Sequence, residues 1–163
     1  MSETQHLAQL KIGRLRYPTS DSRVADFMNN LDVVNAIAER SKGFVWRLKD
    51  DSGNATNFRP FTDPNMLVNL SVWENVETLQ RFVWQTAHKR IYDRRLEWFD
   101  KIEAPHFVMW WIPKGHLPSL TEAKERLAHL ATHGPSDYAF GWERMPAARS
   151  RTQARYAPDG QPA

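Results

Sequence analysis

The stretch that decides the fold runs from Asn69 to His88 and reads N-L-S-V-W-E-N-V-E-T-L-Q-R-F-V-W-Q-T-A-H. Its first residues alternate in polarity, which predicts a strand that ends at Trp73. A helix is expected to begin at once, with His88 about four turns later. One face of the strand is apolar, whereas the other has Asn69, Ser71 and Trp73. A histidine, an indole and an amide that met at one cavity would form a site for a small molecule.

The neighbouring segments extend this pattern to a whole domain. Strands are predicted at 6–16, 44–48, 66–73 and 106–112, with a short edge strand at 138–142. One helix follows the potential caps at 19–21, a second covers 74–99 in one or two pieces, and a third begins after the capping box of Ser119 and Glu122. The order strand, helix, strand, strand, helix, strand predicts a ferredoxin-like α+β fold, with an antiparallel sheet and both helices on one face.

The two faces of the predicted sheet differ in chemistry. The apolar phase is expected to meet the helices, and it consists of Ala8, Leu10 and Ile12 with Val68, Leu70 and Val72. The other phase contains Gln9, Lys11, Asn69, Ser71 and Trp73, near the aromatic run 109–111. A monomer would leave these aromatic rings in water, which is unfavourable. Two copies are therefore predicted to form a homodimer by sheet-to-sheet packing, with the second phase as the lining of a barrel-shaped interior.

Composition narrows the class of protein. The chain has 163 residues, 41% of them hydrophobic, which predicts a single domain over 1–145. The composition of residues 146–163 turns to Ala, Arg and Pro, with some Gln and Gly, and a disordered basic tail is expected there. There is no cysteine, no long apolar run and no signal-like start, so a cytoplasmic protein without membrane contact is expected.

The net charge of +3 is the remaining clue to partners. Most of it lies in the tail, so the body is nearly neutral and no nucleic-acid partner is expected. Nucleotide-binding glycine motifs and the serine-hydrolase motif are absent. His129 and His133 have a spacing that can chelate a metal, but charged neighbours favour a solvated helix face.

Several motifs, taken in order, resemble one bacterial family. They are H-L-A-Q-L-K-I-G-R-L-R-Y-P, G-F-V-W-R-L, N-L-S-V-W-E and W-W-I-P-K-G-H-L-P, within residues 6–142. The chain resembles a family of unknown function, DUF3291, of the dimeric α/β-barrel superfamily, which includes antibiotic-biosynthesis and haem-degrading monooxygenases. The resemblance implies this barrel fold, while one fold hosts many activities.

The haem-degrading relatives suggest one cofactor. They have a V-W-E start to the second helix and a later A-H pair whose histidine ligates haem iron. Here 72–74 and 87–88 match these motifs, although the helix is shorter and a second tryptophan has no counterpart. The resemblance leaves haem possible, with His88 as ligand. The expected surroundings are Trp84, Tyr92, Trp110 and Trp111 as walls, with Lys11 or Arg47 at the propionates. A protein without a cofactor is the leading expectation.

The candidate residues keep alternatives open. His88 could be a general base, a metal or haem ligand, or a helix histidine satisfied by ordinary hydrogen bonds. Asn69 and Arg47 are the other catalytic candidates, and Arg47 could instead pair with an acid of the fold. Candidates for substrate binding are Trp73, Trp46, Tyr92 and Trp111.

The leading interpretation is a small-molecule enzyme that resembles antibiotic-biosynthesis monooxygenases and acts on an aromatic or polyketide-like compound. In this interpretation, His88 is the base, Asn69 and Arg47 hold an enolate or phenolate oxygen, and Trp73 stacks on the substrate. The alternative is a non-catalytic ligand-binding or stress-related dimer, or a haem-binding protein that uses His88.

Overall fold

The computed structural model of the chain describes residues 4–49, 61 and 63–144. The predicted tail at 146–163 lies outside this part of the chain. Four strands form one antiparallel sheet, β1 (Gln5–Arg14), β2 (Phe44–Arg47), β3 (Met66–Trp73) and β4 (Phe107–Pro113), in the order β2-β3-β1-β4. This order confirms the ferredoxin-like α+β fold that the sequence predicts. The bounds of β3 agree with the strand predicted at 66–73 from the alternation of polarity.

The register of the sheet determines which side chains are neighbours. Lys11 on β1 lies opposite Asn69 on β3 and opposite Phe107 on β4. Two residues along the strand, Gln9 lies opposite Ser71. Because side chains alternate between the faces of a sheet, all of these residues share one face.

The helices follow the expected order but differ in length. A 3₁₀ turn, Ser22–Val24, is capped by Asp21 and leads into α1 (Ala25–Arg40). The predicted helix over 74–99 is three pieces, α2 (Val76–Gln85), α3 (Ala87–Asp93) and α4 (Arg95–Trp98). The first break occurs because Thr86 has an extended backbone and its hydroxyl bonds back to the carbonyl of Phe82 at 2.6 Å. Such a bond competes with the helical ladder.

The assignment of the two sheet faces predicted from the sequence is wrong. The mixed face, with Leu7, Trp73 and Met109, packs against α1, α2 and α3. The apolar face, with Ala8, Leu10 and Val72, packs instead against α5 (Leu120–His133), the additional helix. The aromatic residues of the mixed face are therefore covered within one chain, and Trp73 is only 1% exposed.

This arrangement removes the reason for which a homodimer was expected. Sheet-to-sheet packing was invoked to cover the aromatic residues of the mixed face, which the chain's own helices cover. α5 buries Ala123, Leu127 and Leu130 against the other face. The homodimer itself stays a prediction, and light scattering tests it against the sequence mass of 19.0 kDa.

Two other features complete the fold. The predicted edge strand at 138–142 is a single bridge between Phe140 and Met109, followed by a 3₁₀ turn, Trp142–Arg144. Ser119 caps α5 by accepting the N–H of Glu122 at 3.1 Å, as the capping box predicts. Among the described residues, no helix is both long and apolar enough to cross a membrane.

Candidate functional site

A cavity of about 320 Å³ lies between the mixed face of the sheet and the helices α1 to α4. This volume is at the lower end of the usual range for small-molecule sites, about 300–1,000 Å³. The wall near Trp73 is aromatic and aliphatic, with Phe44, Leu79 and Phe82. Lys11, Asn69 and His88 line the same cavity. Apolar walls around a few polar groups are typical of a binding site for a small organic molecule.

The sheet side of the cavity carries a chain of hydrogen bonds. The side-chain amide nitrogen of Gln9 donates to Asn69 Oδ1 and to Ser71 Oγ, both at 2.7 Å. The indole of Trp73 donates to the same Ser71 oxygen at 2.9 Å. Gln9 and Ser71 are buried, whereas Asn69 is exposed. Asn69 Oδ1 uses one of its two lone pairs for Gln9, and the NH₂ of Asn69 is the donor that this residue can offer to a ligand.

The helix side of the cavity is defined by the break between α2 and α3. The last carbonyls of a helix lack partners within it, and here side chains provide them. Thr86 Oγ1 donates to Phe82 O, and His88 Nδ1 lies 3.2 Å from Val83 O. Because a carbonyl only accepts, Nδ1 carries the proton. The lone pair of the neutral ring is therefore on Nε2.

The protonation state of His88 follows from its surroundings. The residue is half-buried by area, but the protein atoms around the ring strip it of water. This desolvation lowers the pKa of His88 from 6.5 to about 4; the bond to Val83 O opposes the shift, and the charge of Lys11 adds to it. His88 is therefore neutral at pH 7 and can accept a proton or ligate a metal through Nε2.

Charges around the cavity are mostly positive. Among the described lining residues, the cations are Lys11, Arg47, Arg95 and Lys101, and the carboxylate is Asp100. Arg47 donates to Glu39 at 2.9 Å, and Lys49 lies 3.5 Å from the same carboxylate. Burial opposes ionisation of Glu39, but these two cations outweigh it and lower its pKa. Arg47 therefore does form the ion pair with an acid of the fold that was expected from the sequence as its alternative role.

The structure brings most of the predicted residues to one place. His88, Asn69, Arg47, Trp73 and Tyr92 all line the cavity. Trp73 does not offer a free face for stacking, because its ring stacks on Phe82 at 5.2 Å and meets Phe44 edge-on at 5.5 Å. Tyr92 is 3% exposed and packs edge-on against Trp84, so it is also a core residue.

Two predicted substrate-binding residues do not reach the cavity. Trp46 packs with the apolar face, on the other side of the sheet. Its side chain points there because it lies next to Arg47, and neighbours on a strand point to opposite faces. Trp111 shares the mixed face but contacts Phe140 beyond the cavity wall. Neither tryptophan is among the described residues that line the cavity.

Gln9 and Phe82 belong to the site but were not among the candidates. Gln9 lies on the same strand face as Lys11, and this alternation was the available signal. Phe82 lies among the buried apolar residues of α2, a pattern that is typical of a helix packed on a core. Its ring lies 5.1 Å from that of His88 and stacks on Trp73. Periodicity alone does not distinguish a core phenylalanine from one that borders a ligand cavity.

The residues expected around a haem group are only partly assembled. His88, Tyr92, Lys11 and Arg47 line the cavity. Trp84 packs behind it against Trp142. Trp110 lies on the opposite sheet face and donates to Glu122 at 2.9 Å, so neither Trp84 nor Trp110 lies at the cavity. These residues do not fit a porphyrin in the expected manner. In the described part of the chain, no cluster of three metal-ligating residues occurs either.

Fold and site together define a ferredoxin-like α+β protein with a ligand-sized cavity between its sheet and its helices. The chain belongs to the family described as Domain of unknown function (DUF3291), whose model matches residues 6–156. This match confirms the family to which the sequence motifs point. No curated protein sequence matches the chain.

The chain is similar in part to several solved structures. SnoaB, a cofactor-independent oxygenase from Streptomyces nogalater, is 14% identical, with a TM-score of 0.46 over 70% of this chain and 98% of its own. The protein PA3566 from Pseudomonas aeruginosa is 10% identical, with a TM-score of 0.45 over 71% of this chain and 100% of its own. A predicted antibiotic biosynthesis monooxygenase from Nitrosomonas europaea is 13% identical, with a TM-score of 0.42 over 72% and 94%. The function proposed below rests on this chain's own residues.

Proposed function

We propose that this chain is a small-molecule enzyme that oxidises an electron-rich aromatic or polyketide-like compound with O₂ in the cavity, without a bound cofactor. The observation that supports this proposal most is the state of His88. Its ring is neutral, its Nδ1 is held by Val83 O, and it lines the same cavity as Lys11 and Asn69. A fixed neutral imidazole next to hydrogen-bond donors is the arrangement that a base-assisted reaction needs.

The roles follow from the contacts. His88 Nε2 removes a proton from an acidic C–H or O–H group of the substrate. The NH₂ of Asn69 and the ammonium of Lys11 stabilise the resulting oxyanion. Phe82, Leu79 and the edge of Trp73 border the apolar part of the substrate and exclude water. All of these residues belong to one chain, so the proposed site does not require a second copy.

For an anthrone, the reaction balances with O₂ alone. Loss of a proton to His88 gives an electron-rich anion, which transfers electrons to O₂, and a C–O bond forms at the former CH₂ carbon. That carbon loses both hydrogens and becomes a ketone. The second oxygen atom leaves as water, which takes up the two hydrogens. The substrate supplies all the electrons, so no external reductant is needed.

A non-catalytic ligand-binding protein is the second candidate. One observation favours it, namely that desolvation lowers the pKa of His88 to about 4. A base with so low a pKa takes up a proton less readily than one whose pKa matches the working pH. A binding protein needs the cavity and its donors but no base.

The test uses dithranol, a commercial hydroxyanthrone, with oxygen uptake and quinone absorbance as readouts. The wild-type chain is expected to accelerate quinone formation above the spontaneous rate, and His88→Ala to lose a factor of about 100 or more. His133→Ala is the matched control, because His133 is exposed on α5 and does not line the cavity.

Two results would decide against the proposal. Equal rates in a folded His88→Ala variant would remove this residue from the mechanism. Saturable binding of dithranol without any acceleration would favour the ligand-binding protein.

A further inference from the structure

We infer that the ligand of this cavity is an aromatic acid whose ionised group binds at Lys11 and Asn69, in the middle of the sheet. This inference rests on the site of the function proposed above and narrows its substrate class. An ionised acid is a permanent charge on the ligand, and it shares these two donors with the oxyanion that forms beside it during the reaction.

The first argument is the place of Lys11. It lies on β1, a central strand, with Asn69 opposite on one side and Phe107 opposite on the other. All three residues line the cavity. A cation at this position is held on a rigid element, which gives a charged ligand group a fixed position.

The second argument is the orientation of Asn69. Its oxygen accepts from the buried Gln9, and its NH₂ is the donor that can meet the ligand. A hydrogen-bond donor beside an ammonium group selects an acceptor with negative charge.

The third argument is the balance of charge. The described lining residues include four cations and one carboxylate, namely Lys11, Arg47, Arg95 and Lys101 against Asp100. Glu39 neutralises part of the charge of Arg47 from outside the lining. Among the lining residues that the structure describes, positive charges therefore outnumber negative ones, which favours binding and entry of anions. The low pKa of His88, to which Lys11 contributes, is consistent with this excess of positive charge.

The apolar wall of the cavity indicates the chemistry of the other end of the ligand. Trp73 lies four positions after Asn69 on β3, which corresponds to about 13 Å along a strand. The wall around Trp73 consists of Phe44, Leu79 and Phe82. A ligand with its acidic group at Lys11 therefore has room for a bicyclic or tricyclic ring system toward Trp73.

The test compares two fluorescent probes of nearly the same shape. Anilinonaphthalene sulfonate is anionic, and phenylnaphthylamine is its neutral counterpart. The wild-type protein is expected to bind the anionic probe more tightly, and each probe should displace the other. Lys11→Met should weaken the anionic probe about tenfold and leave the neutral probe within twofold. Lys114→Met is the control, since Lys114 is exposed beyond the end of β4 and does not line the cavity.

A second variant keeps the test valid if Lys11→Met does not fold. Asn69→Asp, at an exposed position of β3, places a negative charge beside Lys11 and should also weaken only the anionic probe. Equal affinity of the two probes, or an unchanged anionic affinity in both folded variants, would overturn the inference. If the protein prefers the anionic probe but does not turn over dithranol, only the proposed oxygenase activity is contradicted. If it turns over dithranol without preferring the anionic probe, only the inference of an acidic ligand is contradicted.

Discussion

The imidazole Nδ1 of His88 lies 3.2 Å from the carbonyl oxygen of Val83, across the break between α2 and α3. In a continuous helix, that oxygen would accept an amide proton from the following turn. Here the side chain of His88 caps the end of α2, and the same contact fixes its own ring. A structural role and a chemical role therefore coincide in one residue, so the two must be separated by experiment.

Stability should fall on acidification because of His88. Its pKa is about 4 in the folded chain and near 6.5 when exposed, so the unfolded state binds the proton first as the pH decreases. This contribution is present above pH 6.5 and is lost as the pH falls toward 4. The loss amounts to about 2–3 kcal/mol at pH 4.5. Urea unfolding of wild type and His88→Gln at pH 7 and 4.5 measures it. The same pH dependence in both proteins, with His133→Gln as control, would contradict this account.

Removal of the charge of Lys11 should raise the pKa of His88. Lys11 lowers that pKa by electrostatic repulsion of the protonated ring, in addition to desolvation. In Lys11→Met, the histidine should therefore titrate at higher pH, although still below 6.5 because burial remains. NMR titration of the imidazole protons reports the change. Lys114→Met should leave the value unaltered, and no difference between the two variants would place Lys11 too far from the ring to act.

The hydroxyl of Thr86 should matter for the site as well as for stability. It accepts the N–H of His88 at 3.2 Å and donates to Phe82 O. Thr86→Val is expected to cost about 1 kcal/mol in unfolding free energy and to lower dithranol turnover about tenfold, since His88 loses its support. Ser119→Ala removes the equivalent cap of α5. It should cost a similar free energy and leave turnover unchanged; equal effects on turnover would show that only global stability is involved.

Haem should not bind in a manner that depends on His88. The tryptophans expected to enclose a porphyrin lie behind the cavity or on the other sheet face. Haemin added to the purified protein is therefore expected to give a broad, unsaturable Soret band that His88→Ala does not change. A sharp, saturable band that is lost in this variant, but not in His133→Ala, would restore haem as the cofactor.

Much of the secondary structure could be predicted because it depends on local patterns. The alternation of β3 gave the bounds Met66–Trp73, and Ser119 with Glu122 identified the start of α5. The break at Thr86 was harder to predict from the sequence, because a threonine within an apolar helical pattern is compatible with a helix that continues through it. Phe82 O accepts from the hydroxyl of Thr86, in competition with the backbone hydrogen bonds of the helix.

The positions of the strands, their order and the residue types of each sheet face follow from patterns in the amino-acid sequence. Which face meets α1, α2 and α3 depends on tertiary packing, because alternation separates two faces without specifying the neighbour of either. Both faces hold enough apolar surface to be buried, and α5 covers the more apolar one. The state of His88 was decided in the same way, since its pKa depends on burial, on Val83 O and on Lys11 from the first strand. These groups meet only when the chain is folded.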